Sequence, residues 1–175
     1  QELTSCSNQP YSNGTDYLIY NGEVYDYHDL GIFHFSKKFD SDTQLIFHAL
    51  KNNDFDSIKK ESGFYSFVFI KELQKNIFAT RDYFGKKPLY YYFDEDLLII
   101  ASEDRAVRDI AREYGKSVAL NGSSLVHYLR YKDLHFGSTF YEGISELPPG
   151  STIDFDFEKW QLSESRTWDD YYYSK

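Results

Sequence analysis

Only one of the 175 residues is a cysteine, Cys6, so no disulfide can form within the chain. A sequence so poor in cysteine suits a reducing compartment, and a cytoplasmic location is expected. Long apolar runs are missing as well. None approaches the roughly 20 residues needed to span a bilayer, no stretch reads as a secretory signal, and no membrane role is expected. Basic residues are scarce, 19 Lys and Arg against 28 Asp and Glu, for a formal net charge of −9. That deficit argues against nucleic-acid binding, which rests on neutralising phosphates. His28, His34, His48, His127 and His135 have no metal-ligand spacing, so no metal site is expected. Gly85-Lys86-Lys87 is not a phosphate loop, because it lacks the glycine spacing and the following Ser or Thr. There is no internal repeat and no low-complexity tract. Asn13-Gly14-Thr15 and Asn121-Gly122-Ser123 match the glycosylation sequon, which carries no meaning in a cytoplasmic protein.

Aromatic residues are abundant: 17 Tyr and 15 Phe. They favour strands and will dominate packing. The length is enough for one domain with a real core, expected over residues 1–175. Residues 1 to about 16 read as an irregular lead-in. From about 158 onward the chain reads as an extension or linker, and aromatic Trp168 to Tyr173 reads as the start of a linker or as a docking segment.

Tyr17 to Tyr20 is a strand candidate ended by the Asn21-Gly22 turn signal, and an aromatic run follows. Leu45, Ile46, Ala49 and Leu50 fall at helical spacing, behind a capping box of Ser41 and Gln44. Phe64 to Ile70 and Ile77 to Thr80 read as a hairpin, and Leu89 to Phe93 with Leu97 to Ala101 as another. All four runs are apolar on both faces, as in a sheet covered on both sides, and one central antiparallel sheet is expected of them. Helices are expected from Glu103 to about Tyr114, with Ser102 as N-cap, and from Asn121 to Tyr131. Alternating Ile153, Phe155 and Phe157 mark a last strand. The fold class is α+β with mostly antiparallel sheets.

Asn21-Gly22-Glu23 and Asp42 hold the chemical interest. Two carboxylates and an Asn-Gly pair could together hold a small amide. Each also has a plain structural reading: Asn-Gly is a common hairpin turn, and an Asp beside a capping Ser favours a helix N-terminus. Arg81-Asp82 reads as a buried structural pair.

Several segments in order carry a resemblance: Tyr20-Asn21-Gly22-Glu23-Val24-Tyr25, Ser41-Asp42-Thr43, Gly63 to Phe67, Arg81-Asp82 with Gly85 and Pro88-Leu89-Tyr90, Ala101-Ser102-Glu103, and Thr139 to Gly150. Together they resemble the glutaminase domain of the asparagine synthetase family, a class II glutamine amidotransferase. The resemblance implies the αββα sandwich of N-terminal-nucleophile hydrolases. It implies that the Asn21 side chain and the Gly22 N–H bind the oxyanion of glutamine hydrolysis, and that Glu23 and Asp42 bind the ammonium of glutamine. The family uses an N-terminal cysteine as nucleophile, whereas this chain opens on Gln1 and reads as lacking the domain's first segment. Cys6 is poorly spaced from Asn21 to replace it. No cofactor is expected in this chain, ATP and Mg belonging to a partner synthetase domain. The expected partners are glutamine, the missing N-terminal segment, and that synthetase domain or another subunit. The chain alone is expected to be inactive. The alternative is a degenerate structural or interaction module that keeps the fold without hydrolysis.

Overall fold

A computed structural model describes residues 8–58, 63–135 and 137–166. Its elements run β1 (Tyr11–Ser12), β2 (Asp16–Val24), α1 (Tyr27–Phe35), α2 (Asp42–Lys51), β3 (Gly63–Lys71), β4 (Asn76–Arg81), β5 (Tyr90–Phe93), β6 (Leu98–Ala101), α3 (Asp104–Glu113), α4 (Gly122–Tyr131), β7 (Ile144–Glu146), β8 (Ser151–Asp156) and β9 (Gln161–Arg166). A six-stranded sheet has the order β1-β2-β3-β4-β8-β9, and a three-stranded sheet the order β6-β5-β7. Every pairing between these strands is antiparallel.

Strand alternation builds the layers. On one face of the large sheet, Leu18, Tyr20, Tyr65, Phe67 and Phe69 pack against Leu45, Ile46, Ala49 and Leu50 of α2. On the other face, Val68, Ala79, Ile153 and Phe155 meet Leu89, Tyr91, Phe93, Leu98 and Ile100 of the small-sheet layer. The outer face of the small sheet, with Ile99, Tyr90 and Tyr92, packs on Val107 and Ala111 of α3. Helix, sheet, sheet, helix is the αββα sandwich. Burying a side chain such as Phe69 or Ile153 completely contributes roughly 1.5–3 kcal/mol.

The two hairpins form as the apolar runs predict, but they divide between the two sheets rather than joining one. The loop from Asp82 to Leu89 moves the chain from one layer to the next. Arg81 and Asp82 are both buried and do not pair with each other. Arg81 ion-pairs with Glu146 at 2.9 Å and donates to the carbonyls of Lys87, Gly85 and Leu147. Asp82 accepts from the N–H groups of Tyr65, Phe84 and Lys86. Both side chains therefore hold the crossing loop.

Ser41 caps α2, its Oγ accepting from the Gln44 N–H at 3.2 Å. Gln44 reaches back to the Asp40 N–H, one residue before the cap, so the box is displaced. Asn121 caps α4 by accepting from the Ser124 N–H at 3.1 Å. The cap position of α3 is Glu103, not Ser102, and no side chain bonds there. Elements also lie where none was expected, among them β1, which pairs with β2 inside the stretch expected as an irregular lead-in. The aromatic run forms α1, whose apolar residues spread round the helix and give no amphipathic signal: Gly31 is buried while Phe33 is 81% exposed. The stretch expected as an extension contains β9, which pairs with β8 from Ser151↔Arg166 to Asp156↔Gln161. Trp168 to Tyr173 lies outside the described residues.

Candidate active site

Asn21-Gly22 is not a turn. Both residues lie inside β2, with Asn21 opposite Ser66, Gly22 opposite Tyr65 and Glu23 opposite Phe64. The pair is required by a close approach instead. A Cβ on Gly22 would lie 2.2 Å from the Phe64 carbonyl oxygen and 2.6 Å from the Tyr65 Cα, so only glycine lets β3 come so near.

An antiparallel ladder sends alternate backbone groups to opposite sides of a strand. The Tyr20 N–H and C=O face away from β3, where the Gln9 side-chain amide takes both, with the Tyr20 N–H 2.6 Å from Gln9 Oε1. The Val24 N–H points the same way and donates to Asp42 Oδ2 at 3.1 Å. By the same alternation the Gly22 N–H points out of the ladder between these two.

Asn21, Gly22, Glu23 and Asp42 all line one cavity of about 660 Å³, together with Gln9, Tyr20, Tyr25, Tyr27, Thr43, Phe64 and Lys87. The volume is in the range of small-molecule sites. The four residues singled out in the sequence come from two elements. β2 supplies the first three, and the N-terminus of α2 supplies Asp42, packed across that strand.

Asp42 is held from several sides. Its Oδ2 accepts from the Tyr20 hydroxyl at 2.8 Å as well as from Val24, and its Oδ1 accepts from the Thr43 N–H at 2.7 Å. Burial, then the neighbouring Asp42 carboxylate, pushes the Tyr20 hydroxyl well above its ordinary pKa. Tyr20 is thus a neutral donor at any physiological pH. Burial, reinforced by Asp82, raises Tyr65 likewise.

Asn21 also lines a second, apolar cleft between the two sheets, with Ile19, Ser66, Val68, Ile70, Ile77, Leu89, Leu98 and Ile100. The cleft has a volume of about 250 Å³. Ile19 is 50% exposed on its wall, and β6 beside it is an edge strand among the described residues.

Tyr20, Gln9 and Lys87 were not expected as site residues from the sequence. The one available signal was that Tyr20 lies two residues before Gly22, on the same strand face. Lys87 is remote in sequence and reaches the cavity through the crossing loop. Cys6 lies outside the described residues. No cluster of three or more His, Cys, Asp or Glu among the described residues could hold a metal ion. No described helix is long and apolar enough to cross a membrane.

The layers and the antiparallel sheets define an N-terminal-nucleophile-type α+β fold. The glutamine phosphoribosylpyrophosphate amidotransferase of Bacillus subtilis shares it, with a TM-score of 0.57 and 19% identity over 90% of this chain and 31% of that one. The chain belongs to the class II glutamine amidotransferase domain family, whose model matches residues 1–168. It is similar to a putative glutamine-hydrolysing asparagine synthetase 2 of Methanocaldococcus jannaschii, 26% identical over 153 residues, covering 87% of this chain and 30% of that protein. Asparagine synthetase 1 of Bacillus subtilis is 25% identical over 145 residues, covering 81% of this chain and 22% of that protein. The chain therefore spans less than a third of the length of these curated relatives.

Proposed function

We propose that this chain is the glutamine-binding part of a glutaminase that supplies ammonia to an ATP-dependent, amide-forming synthetase domain. The observation that carries the reading is the meeting of Asn21, Gly22, Glu23 and Asp42 on one cavity, with the Gly22 N–H aimed out of its ladder. The Asn21 side-chain N–H and the Gly22 backbone N–H hold the oxyanion, each such donor contributing roughly 3 kcal/mol to the transition state. Glu23 and Asp42 take the ammonium of glutamine. Tyr20 and Val24 keep the Asp42 carboxylate in place without adding charge.

The family resemblance assigns the role of nucleophile to the thiol of an N-terminal cysteine. It attacks the side-chain amide carbon, its proton passes through its own α-amino group to the leaving nitrogen, and the C–N bond breaks to release ammonia. Water then hydrolyses the thioester to glutamate. The apolar cleft leading to Asn21, and the open edge of β6 among the described residues, suit an extended apolar segment. ATP and Mg are assigned to the synthetase domain, and the protein to the cytoplasm, in keeping with a single cysteine.

Calorimetric titration tests the reading. The chain should bind L-glutamine, and Asp42→Asn should weaken that binding by roughly 1.5–3 kcal/mol, the value of a charge-assisted hydrogen bond. Ammonia release by the chain alone should stay at background and be unchanged by Cys6→Ala. Ammonia release abolished by Cys6→Ala would instead make Cys6 the nucleophile. No heat from glutamine would leave the alternative, a non-catalytic interaction module.

A further inference from the structure

Gln9 is an exposed residue, yet its side-chain amide is committed to the large sheet. β1 pairs with β2 through Tyr11↔Leu18 and Ser12↔Tyr17. Continued toward the N-terminus, that register would set residue 9 against Tyr20. The backbone does not follow it. The chain bends over residues 9–10, and the ladder stops at Tyr11. The Gln9 side chain takes that place instead. Its Oε1 accepts from the Tyr20 N–H at 2.6 Å, and its Nε2 donates to the Tyr20 carbonyl at 2.5 Å. A primary amide carries an acceptor and a donor side by side. It therefore closes the same two-bond ring that a residue of a neighbouring strand would close.

Beyond Leu18 no described strand borders this edge of β2. The outward N–H groups there belong to Tyr20, Gly22 and Val24. Tyr65, opposite Gly22, turns both backbone groups to Asp82: its N–H donates to Asp82 Oδ2 at 3.2 Å and its carbonyl accepts from the Asp82 N–H at 2.8 Å. The Gly22 N–H is thus not spent on β3. Gln9 holds the Tyr20 N–H on one side of it, and Asp42 holds the Val24 N–H on the other. Glycine is the residue with the widest backbone freedom, so an unclamped edge would leave this N–H loosely aimed. A donor to a developing oxyanion is effective when its position is fixed beforehand.

We infer that Gln9 is a positioning residue: its side-chain amide stands in for a strand, fixes the outer edge of β2 at Tyr20, and so aims the Gly22 N–H at the side-chain carbonyl of the ligand. The inference rests on the glutamine reading of this cavity. Both halves of the Gln9 amide are occupied by Tyr20, so Gln9 acts through the backbone. Its effect falls on the amide end of the ligand. The ammonium end is served by Asp42, which is anchored separately at the start of α2.

The test compares the full chain with Gln9→Ala and Gln9→Glu. The second variant keeps an acceptor for the Tyr20 N–H but, when ionised, has no donor for the carbonyl. Nitrogen-15 relaxation reads the Gly22 amide without any ligand. Wild type should show the order parameter of rigid backbone, about 0.85, and Gln9→Ala a clearly lower one. Calorimetric titration then uses L-glutamine and L-2-aminopentanoic acid, which keeps the ammonium and carboxylate and ends in a methyl group where glutamine carries its amide. Wild type should prefer L-glutamine. Gln9→Ala should weaken L-glutamine binding about fivefold, the value of one neutral hydrogen bond, and leave L-2-aminopentanoic acid within about twofold. Gln9→Glu should fall between wild type and Gln9→Ala in both measurements. Thermal melts followed by circular dichroism establish that each variant is folded. An unchanged Gly22 order parameter or unchanged L-glutamine binding in Gln9→Ala overturns the inference, as does an equal loss for both ligands. Failure of the wild-type chain to bind L-glutamine overturns the glutamine reading and this inference together.

Discussion

Gly22 and Asp42 each do two things at the residue scale. Gly22 lets β3 approach closely and presents its N–H to the cavity; Asp42 caps no helix itself but ties α2 to β2 through Val24 and Tyr20. The first of these is directly testable without any ligand. In Gly22→Ala the new Cβ would meet backbone atoms of Phe64 and Tyr65, which cannot swing aside as a side chain could. The variant should lose roughly 1–3 kcal/mol of stability, the usual cost of overpacking, read from the urea midpoint. A midpoint equal to wild type would mean that β2 and β3 separate more easily than the packing implies. The Asn-Gly motif was legible in the sequence, but its setting was not. As a dipeptide it signals a turn, and only its pairing partners on β3 reveal that the strand continues to Val24.

At the scale of elements, α2 joins site and core. Its first turn carries Asp42 into the cavity, and its buried side packs Leu45, Ile46, Ala49 and Leu50 on the large sheet. Its last turn carries His48, which lies against the rings of Phe35 and Phe39 at 5.1 and 5.2 Å. Burial, then the nearby Lys37 and Lys51, holds the His48 pKa below its ordinary value of 6.5. The folded state thus binds this proton less readily than the unfolded chain does. The stability that depends on neutral His48 is present above the ordinary histidine pKa and is lost as pH falls through the depressed folded value. Urea midpoints measured from roughly pH 8 down to roughly pH 5 should fall more in wild type than in His48→Gln. Parallel curves for the two proteins would remove His48 from that dependence. The helix itself was readable from its spacing and its cap. α1 was not, because apolar residues on every side of a helix leave no period to detect.

The whole molecule is stabilised where the layers meet. Phe69 is fully buried against Phe47, whose ring meets it edge-on at 5.6 Å, while its neighbour Val68 faces the opposite layer. Phe69→Ala should cost roughly 3–5 kcal/mol, as large-to-small core changes do, because the sheet on either side cannot collapse into the space. Phe33→Ala, on the 81% exposed side of α1, should stay within about 0.5 kcal/mol of wild type. Chemical denaturation of both variants measures the contrast. Equal effects would mean that the exposed face of α1 is as well packed as the core. The same layering explains the site. The cavity exists because α2 covers one face of β2 while the crossing loop, tied down by Arg81 and Asp82, brings Lys87 to the other.

Local chemistry was sufficient for much of this. The paired apolar runs between turn residues determined the two hairpins, Ser41 and the spacing behind it determined α2, and the order of short motifs determined the family. These are properties of neighbours in the chain, and neighbours are what a sequence displays. The division of the hairpins between two sheets was decided by the tertiary structure, because an apolar strand has no mark that says which layer will cover it. The strand setting of Asn21-Gly22 and the place of β9 were decided by pairing partners distant in sequence. The same holds for the cavity itself: Asp42 meets Tyr20 and Val24, and Lys87 joins them, only because packing a helix and a crossing loop around one strand brings remote positions to a common volume.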